Sequence, residues 1–403
     1  MTSTERTFTS VEICAGAGGQ ALGLHEALFK HLALIEIDPH AVETLRANVE
    51  GNETWGGCLV KQADLTKLAP KDLRLELGLE PGDLDLLAGG VPCPPFSVAG
   101  KQLGRDDERD LFPNMLDLVD ELEPKAVMIE NVRGLLEPRE KFQGYREELL
   151  ERLESMGYEK CYWEVLEAKN YGVPQLRPRA ILVALKSEYL PFFTQTQPEK
   201  LPVRTVGDAL EATMARRFAE VDDPRAEETL KKWRRKASKG VAPTLVGGSK
   251  KHGGADLGPT RAKKAWEALG VCGLGVANDS EEMKRQGSHE RDLFAAAGPK
   301  LTVEQAAIIQ GFPPTWKFKG RKTAAYRQVG NAFPPPVAQA VGEQIIAALK
   351  EGKEAGVVAA VRKPRSRAAV KDSELLFRLT ELSAPAVPKT ADRSGDRERA
   401  VVG

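Results

Sequence analysis

Short apolar runs alternate with amphipathic stretches through the first half of the chain. The apolar runs predict buried strands at residues 7–14, 31–37, 84–88, 126–129, 162–166 and 180–185. Stretches with apolar positions three or four apart predict helices at residues 22–29, 41–49, 111–122 and 142–156. Strands and helices that alternate at this spacing predict an α/β fold. We expect a doubly wound, mostly parallel sheet with helices on both faces.

The periodicity weakens after about Ser187, and the chain becomes rich in Gly, Pro, Lys and Arg as far as Pro299. This change predicts a smaller, irregular domain with long loops. Regular structure returns with a helix at 302–310, capped by Thr302, and a final helix at 337–349. The predicted division is a main domain at 1–190, the smaller domain at 191–300, the rest of the main domain at 301–350 and a tail at 351–403. The tail is expected to be disordered apart from a short helix at 373–382.

Composition narrows the class of protein. Hydrophobic residues make up 41% and charged residues 29% of the 403 residues, as in ordinary globular proteins. No apolar run approaches the ~20 residues of a membrane span, and the polar N-terminus does not resemble a signal peptide. We therefore expect the protein to stay in the cytosol. The five cysteines include no CxxC pair, which argues against a disulfide framework and against a metal site.

A glycine-rich turn follows the first predicted strand, with the sequence Cys14-Ala15-Gly16-Ala17-Gly18-Gly19. Glycines let the backbone approach a ligand closely at a helix N-terminus. Glu36 ends the second predicted strand, where a carboxylate can accept hydrogen bonds from both hydroxyls of a ribose. Asp64 lies where a third strand would end, and it could bind an adenine amino group. Taken singly, Glu36 could equally be a surface carboxylate and Asp64 a helix cap.

Cys93 lies in a stiff loop just beyond the strand at 84–88. The loop reads Gly89-Gly90-Val91-Pro92-Cys93-Pro94-Pro95-Phe96-Ser97. Prolines keep such a loop extended, so the thiol is presented at the edge of the sheet where α/β proteins bind ligands. Glu130 follows the strand at 126–129 and lies near Cys93 if the two strands are neighbours. A thiol and a carboxyl in one pocket suit nucleophilic attack with a general acid, although a buried structural cysteine is the alternative.

Basic residues form further candidate sites. Gln175-Leu176-Arg177-Pro178-Arg179 places two arginines at alternate positions of an extended segment, where they could bind phosphates or a carbonyl oxygen. The 58 basic and 58 acidic residues give a net charge of zero, yet basic residues cluster within the predicted smaller domain. The clusters include Lys231, Lys232, Arg234, Arg235, Lys250 and Lys251. A basic run alone is more often a solvated surface.

Taken in order, these sites resemble the motifs of the cytosine-5 DNA methyltransferases, including the type II restriction-modification methylases of bacteria. The glycine-rich turn, the Pro-Cys loop, a Glu-Asn-Val triplet and a Gln-x-Arg-x-Arg segment all have counterparts in that family. Residues 301–313 resemble the family's ninth motif and residues 326–332 its tenth, and Thr244-Leu245 resembles a pair in its recognition domain. The resemblance spans residues 7–349.

The resemblance implies methyl transfer from S-adenosyl-L-methionine to C5 of a flipped-out cytosine in double-stranded DNA. Cys93 would form a covalent bond to C6, and Glu130 would protonate N3. Arg179 would bind the O2 carbonyl, and Arg177 would help hold the nucleophile loop. The implied cofactor contacts are Cys14, Ala15, Gly16, Gly18, Gly19, Glu36, Asp64, Pro92 and Asn331. The implied DNA contacts are Ser97, Gln175, Lys231, Lys232, Arg234, Arg235, Thr244, Lys250 and Lys251.

The resemblance also implies a monomer in the bacterial cytosol, associated with the nucleoid, and a restriction endonuclease acting separately. Glu12, Cys14 and Pro94 depart from the commonest family pattern, but none of these changes removes the nucleophile or the acid.

Three other functions compete with this interpretation. An RNA methyltransferase acting on tRNA is disfavoured by the long basic segment before Leu301. A non-catalytic DNA-binding regulator is disfavoured by intact Cys93 and Glu130. A nicotinamide dehydrogenase is the weakest alternative, because the first turn lacks a GxGxxG fingerprint.

Overall fold

The computed structural model describes residues 7–92, 110–198, 202–247 and 255–357. Within these ranges a seven-stranded sheet has the order β3-β2-β1-β4-β5-β7-β6. The strands are β1 Phe8–Ile13, β2 Phe29–Glu36, β3 Leu59–Gln62, β4 Leu86–Gly89, β5 Ala126–Val132, β6 Tyr158–Glu167 and β7 Pro178–Lys186. The first five strands along the chain, β1 to β5, pair in parallel, whereas β7 is antiparallel to β5 and β6. The predicted mostly parallel sheet is confirmed.

Some of the helices cover the two faces of this sheet, and others belong to the segment at 191–300. They are α1 Gly19–Glu26, α2 Pro39–Val49, α3 Pro70–Glu76, α4 Phe112–Leu122, α5 Gln143–Ser155, α6 Val206–Ala219, α7 Ala226–Ala237, α8 Thr260–Ala268, α9 Ser280–Gln286, α10 His289–Leu293, α11 Val303–Gln310, α12 Lys322–Asn331 and α13 Pro335–Glu354. Strand side chains alternate between the faces. Val127 and Ile129 of β5 pack with α3, α4 and α5, whereas Ala126 and Met128 pack with α1 and α13.

The helices predicted in the first half and near residue 302 are confirmed within a few residues. Thr302 accepts a hydrogen bond from the Gln305 amide, and the Gln305 side chain bonds back to Thr302, which together fix the start of α11. The final helix, α13, extends beyond the prediction to Glu354. The short helix predicted at 373–382 lies outside the described residues. No helix in the described ranges is long and apolar enough to span a membrane.

The segment at 191–300 contains more regular structure than its composition predicts, namely α6 to α10. Helix α6 begins with a capping box of Thr205 and Asp208 and buries Val206, Leu210 and Met214 at every fourth position. This signal is present in the sequence, but the Gly- and Pro-rich connections around it obscure it. The buried side chains of this segment are continuous with those of α2 and α11. The division at residues 190, 300 and 350 stays a prediction.

Helices α1 and α13 approach each other closely enough to exclude a side chain at Gly23. A Cβ atom at Gly23 would lie 2.2 Å from the Pro335 carbonyl oxygen and 2.6 Å from the Ala338 Cβ. This contact fixes α13 on the helix that follows the glycine-rich turn.

We predict that Gly23→Ala lowers the free energy of unfolding by about 1–3 kcal/mol, because the added methyl group overpacks this contact. The matched control is Gly144→Ala in α5, where an added Cβ meets nothing within 4 Å. The control should be neutral or stabilising by up to about 1 kcal/mol, because alanine is the better helix former. Urea unfolding measures both variants. Equal stability of the two variants would contradict the close α1–α13 contact.

Candidate active site

A cavity of about 530 Å³ lies at the edge of the sheet where the parallel strands end. Its lining comes from the segments that follow β1 to β5 and from the end of α12. Parallel strands deliver their following loops to one edge, which is why open α/β sheets bind ligands there. The predicted site residues that line this cavity are Cys14, Ala15, Gly16, Gly19, Glu36, Asp64, Pro92, Glu130 and Asn331.

The glycine-rich turn forms the floor of the cavity. Gly16 and Gly18 have φ values of 54° and 84°, in the left-handed region that glycine adopts without strain. Gly18 does not line the cavity, and a Cβ there would lie 2.8 Å from the side chains of Leu45 and Trp316. Gly18 thus allows close packing beneath the turn, and its contact with the cofactor stays a prediction.

Glu36 holds the turn in place. One carboxylate oxygen accepts a hydrogen bond from the Gly16 amide at 2.7 Å, and the other accepts the amides of Ile37 and Asp38 at 2.8 Å each. A carboxylate offers about four acceptor sites, so about one site remains for a ligand. The sequence interpretation assigned two ribose hydroxyls to Glu36, and the structure leaves capacity for about one.

Asp64 combines the two roles that its position in the sequence left open. Its Oδ1 accepts hydrogen bonds from the Thr66 amide at 3.0 Å and the Thr66 hydroxyl at 2.7 Å, which caps a short 3₁₀ helix, Leu65–Lys67. These hydrogen bonds lower the pKa of Asp64 and keep it ionised. The same residue lines the cavity, where it can accept a hydrogen bond from a ligand.

Two buried polar residues beneath the turn were not predicted as site residues. Glu12 and Gln20 line the cavity, and Glu12 Oε2 and both amide atoms of Gln20 have no hydrogen-bond partner among the described residues. Burial raises the pKa of Glu12 well above its usual range, and the Glu36 carboxylate adds to the rise. The sequence does contain a signal for Glu12, which is a charged residue inside the apolar run of β1. Burying a charged side chain is costly, so a glutamate at such a position indicates a function.

The Cys14 thiol lines the cavity but is a poor nucleophile. Burial raises its pKa to about 12, and the carboxylates of Glu36 and Glu12 contribute further. A thiol with this pKa stays protonated at neutral pH. Cys14 is therefore suited to neutral packing against a ligand.

Glu130, which lines the cavity, forms an ion pair with Arg179. Arg179 Nε lies 2.8 Å from Glu130 Oε1, and both side chains are mostly buried. Burial raises the pKa of Glu130, and the guanidinium groups of Arg179 and Arg177 oppose part of that rise. Because β7 is antiparallel to β5, the start of β7 lies beside the end of β5, with Arg179 opposite Val132. The topology thus brings the acid and its cationic partner together.

The condition for Cys93 to lie near Glu130 is met, because β4 and β5 are adjacent parallel strands. Asn131 donates a hydrogen bond to the Val91 carbonyl at 2.9 Å, which fixes the segment leading to the nucleophile loop. Pro92, the residue before Cys93, lines the cavity. Cys93 itself lies outside the described residues, as do Ser97, Lys250 and Lys251.

Arg177 is completely buried and does not line the cavity. Its guanidinium donates hydrogen bonds to the carbonyl oxygens of Leu245 at 2.7 Å, Gly330 at 2.9 Å and Ala332 at 2.8 Å. Leu245 lies in the recognition segment, the name used below for the smaller domain predicted at 191–300. Gly330 and Ala332 lie at the end of α12, which forms part of the cavity wall. The contacts are those of a positioning residue, and the part in catalysis predicted for Arg177 stays a prediction.

Gln175 closes a ring of hydrogen bonds with Arg177. Its carbonyl accepts the Leu245 amide at 2.7 Å, and its amide donates to Gln310 Oε1 at 2.7 Å. The Gln310 amide in turn donates to the Ala332 carbonyl, which Arg177 also binds. The DNA contact predicted for Gln175 needs correction, because this side chain is completely buried and its amide is engaged inside the protein.

Two glycines bring the recognition segment directly against the cavity wall. A Cβ on Gly247 would lie 2.2 Å from Asn331 Oδ1 and 2.7 Å from the Arg327 carbonyl oxygen. A Cβ on Gly330 would lie 2.4 Å from the Gly247 amide nitrogen. The backbone at Gly247 therefore touches a residue of the cavity.

The remaining predicted DNA contacts lie on or near α7. Arg234 pairs with Glu211 at 2.6 Å, and Arg235 lies 3.9 Å from Glu228. The Thr244 hydroxyl donates a hydrogen bond to the Leu176 carbonyl. The exposed basic side chains of α7 are Lys231, Lys232, Arg234 and Arg235.

Comparison with known proteins agrees with this geometry. The family model for C-5 cytosine-specific DNA methylases matches residues 8–347. The Type II methyltransferase M.NaeI of Lentzea aerocolonigenes is 50% identical over 351 residues, covering 86% of this chain and 77% of that protein. The Type II methyltransferase M.NgoMIV of Neisseria gonorrhoeae is 47% identical over 349 residues, covering 85% of this chain and 99% of that protein.

Two solved structures share the fold. Spodoptera frugiperda DNMT2, in a mutant form, aligns with a TM-score of 0.55 at 17% identity, covering 84% of this chain and 100% of that one. Entamoeba histolytica methyltransferase EhMeth aligns with a TM-score of 0.55 at 14% identity, covering 86% and 99%. The chain belongs to the C-5 cytosine-specific DNA methylase family, and its activity is that of a DNA (cytosine-5-)-methyltransferase.

Proposed function

We propose that the chain transfers a methyl group from S-adenosylmethionine to C5 of a flipped-out cytosine in a specific DNA sequence, through a covalent bond between Cys93 and C6. The observation that carries the proposal is the position of Glu130. Its mostly buried carboxyl lies in the cavity, on the strand adjacent to the one that leads to Cys93. A pocket with a nucleophile and an acid at neighbouring strand ends suits addition to a ring that must gain a proton.

The lining of the cavity fits S-adenosylmethionine. Glu36 can accept one further hydrogen bond from a ribose hydroxyl, and Asp64 one from an adenine amino group. Ile37, with 58% of its surface exposed, offers an apolar face to a base. Gln20 and Asn331 are placed to bind polar groups at the amino-acid end. When bound, the cofactor supplies an electrophilic methyl group on a sulfonium.

Protein groups supply the remaining chemistry. The Cys93 thiolate adds to C6 of the cytosine, while protonated Glu130 donates its proton to N3. C5 then becomes nucleophilic and takes the methyl group. A base removes the C5 proton, N3 returns its proton to Glu130, and Cys93 leaves as the C5–C6 double bond re-forms. Arg179, whose Nε lies 2.8 Å from Glu130 Oε1, orients that carboxyl, and we assign to Arg179 the binding of O2 of the ring.

The target base must leave the duplex to reach this cavity, at a cost of a few kcal/mol in stacking and pairing. We assign phosphate contacts to the basic residues of α7 and to Lys250 and Lys251, and a contact near the flipped base to Ser97. The proposed enzyme acts as a monomer at the nucleoid, since one chain supplies the motifs of the reaction. A restriction endonuclease of the same specificity would act separately, as the type II relatives suggest.

We predict that Cys93→Ala lowers methyl transfer to duplex DNA by about a thousand-fold or more, because the covalent route is lost. The assay follows label from S-adenosylmethionine into C5 of cytosine in mixed-sequence DNA. Cys161→Ala is the matched control, because burial raises the pKa of that distant thiol to about 12. Duplex DNA containing 5-fluorocytosine should trap a covalent adduct with wild type only. Near-normal transfer by Cys93→Ala would exclude this nucleophile.

We predict that Glu130→Gln lowers kcat by about 10²–10⁴-fold and leaves cofactor affinity unchanged. The raised pKa of Glu130 keeps it protonated to higher pH than an ordinary glutamate, so the wild-type rate should fall as pH rises through that pKa. Cys93 must instead lose its proton to act, which favours higher pH, so the wild-type rate should first rise and then fall as the pH increases. The descending limb should be absent in Glu130→Gln and present in the exposed control Glu159→Gln. A descending limb retained in Glu130→Gln would assign the acid elsewhere.

We predict that Glu36→Gln weakens S-adenosylmethionine binding by about tenfold to a hundredfold, because it removes a charged acceptor and releases part of the turn. Isothermal titration calorimetry measures the affinity. Glu43→Gln, on the exposed face of α2, provides the matched charge change. Unchanged affinity in Glu36→Gln would place the cofactor elsewhere.

A further inference from the structure

A second cavity, of about 220 Å³, lies apart from the active site, between one face of α7 and a turn at residues 294–299. The helix contributes Arg225, Thr229, Lys232, Trp233 and Lys236, spaced so that they share one face. Among the described residues that line this cavity, none is acidic.

The indole of Trp233 lies in the wall of this cavity. The side chain is 1% exposed, and its Nε1–H has no acceptor among the described residues. The neighbouring Cδ1 atom lies 3.6 Å from a Cβ built on Gly270, which also lines the cavity. A buried donor without an acceptor costs about 1–3 kcal/mol, which makes the Trp233 N–H a candidate donor to a ligand in this cavity.

The charge at the mouth of the cavity comes from two lysines. Lys232 and Lys236 lie one helical turn apart, and neither forms an ion pair with a carboxylate in the described part of the chain. The described contact of Lys236 Nζ is the Glu267 carbonyl at 3.5 Å. Arg225 is instead neutralised by Asp223 and Glu290, at 2.8 Å and 2.6 Å.

The turn opposite α7 adds backbone donors. The Gly298 amide donates to the Ala295 carbonyl at 2.8 Å, which closes the turn. Within the described ranges, the amides of Ala296 and Ala297 donate no hydrogen bond. Gly298 has a φ of 117°, and a Cβ there would lie 2.0 Å from the Gly270 carbonyl oxygen. The turn is therefore fixed at the wall of the cavity.

We infer that this cavity binds a phosphate group and that the backbone of the DNA substrate supplies it. The inference rests on the proposed DNA contacts of α7 and assigns one of them to a defined pocket. Ammonium groups, an indole N–H and turn amides are all donors, and a phosphate is an acceptor with negative charge. Such a contact sets the position of the protein on the duplex and reads no base.

The first test is the double variant Lys232→Gln/Lys236→Gln, with the Kd for mixed-sequence duplex DNA measured over a salt series. Loss of one neutralised phosphate should reduce the slope of log affinity against log salt by about one. The matched control is Lys350→Gln/Lys353→Gln on the exposed surface of α13, which makes the same change in charge and should keep the wild-type slope.

The second test is Trp233→Phe, which keeps an aromatic ring and removes the N–H. It should weaken DNA binding several-fold at every salt concentration without changing the slope, because the lost donor is neutral. Trp266→Phe is the matched control. Its Nε1–H is also buried without a partner in the described structure, but Trp266 does not line the cavity. The control should bind DNA as wild type does.

The inference is overturned if the lysine double variant keeps the slope of its control, or if Trp233→Phe and Trp266→Phe bind DNA equally well. Titration with inorganic phosphate at constant ionic strength tests the other source of the ligand. Phosphate binding that the lysine double variant abolishes, with an unchanged DNA slope, would also overturn the assignment to DNA. Failure of the proposed function would be seen separately, as absence of methyl transfer by the wild-type protein.

Discussion

One buried guanidinium determines how separate parts of the chain meet. Arg177 binds three carbonyl oxygens, one in the recognition segment at Leu245 and two in the cavity wall at Gly330 and Ala332. Each buried carbonyl that lost this partner would cost about 1–3 kcal/mol, so the segment and the wall cannot separate by small movements. Gln175 and Gln310 complete a closed ring around the same carbonyls. The cavity therefore keeps its shape because both terminal nitrogens of one buried guanidinium bind backbone carbonyl oxygens.

The chemistry of the cavity depends on strand direction. Parallel pairing of β4 with β5 sends Glu130 and the segment leading to Cys93, the proposed nucleophile, to the same edge. The antiparallel strand β7 reaches that edge with its first residues, so Arg179 lies beside the carboxyl it orients. If β7 were parallel, its amino end would lie at the far edge, and Glu130 would lose the cation that opposes the rise in its pKa. A single reversed strand thus tunes the proposed general acid.

Sequence reasoning succeeded where the determining contacts are local. Buried strands appear as apolar runs, the glycine turn needs left-handed φ values, and Thr302 caps its own helix. It failed for Gln175, because polarity does not reveal partners at Leu245 and Gln310, which lie 70 and 135 residues away. The same limit explains Arg177, because its alternate spacing with Arg179 predicts a shared face but not the carbonyl oxygens that it binds. Only tertiary contacts distinguish this buried clamp from the arginine that pairs with Glu130.

The pairing of α1 with α13 has a consequence for the order of synthesis. The first 190 residues contain the glycine turn, Cys93, Glu130 and Arg179, but Asn331 and Phe333 of the cavity wall precede a helix that must dock on Gly23. A nascent chain that has left the ribosome only as far as β7 has all the proposed reactive groups but lacks part of the cavity wall. The cavity closes only after α13 has emerged and docked, so methylation competence arrives in one late step rather than growing during translation.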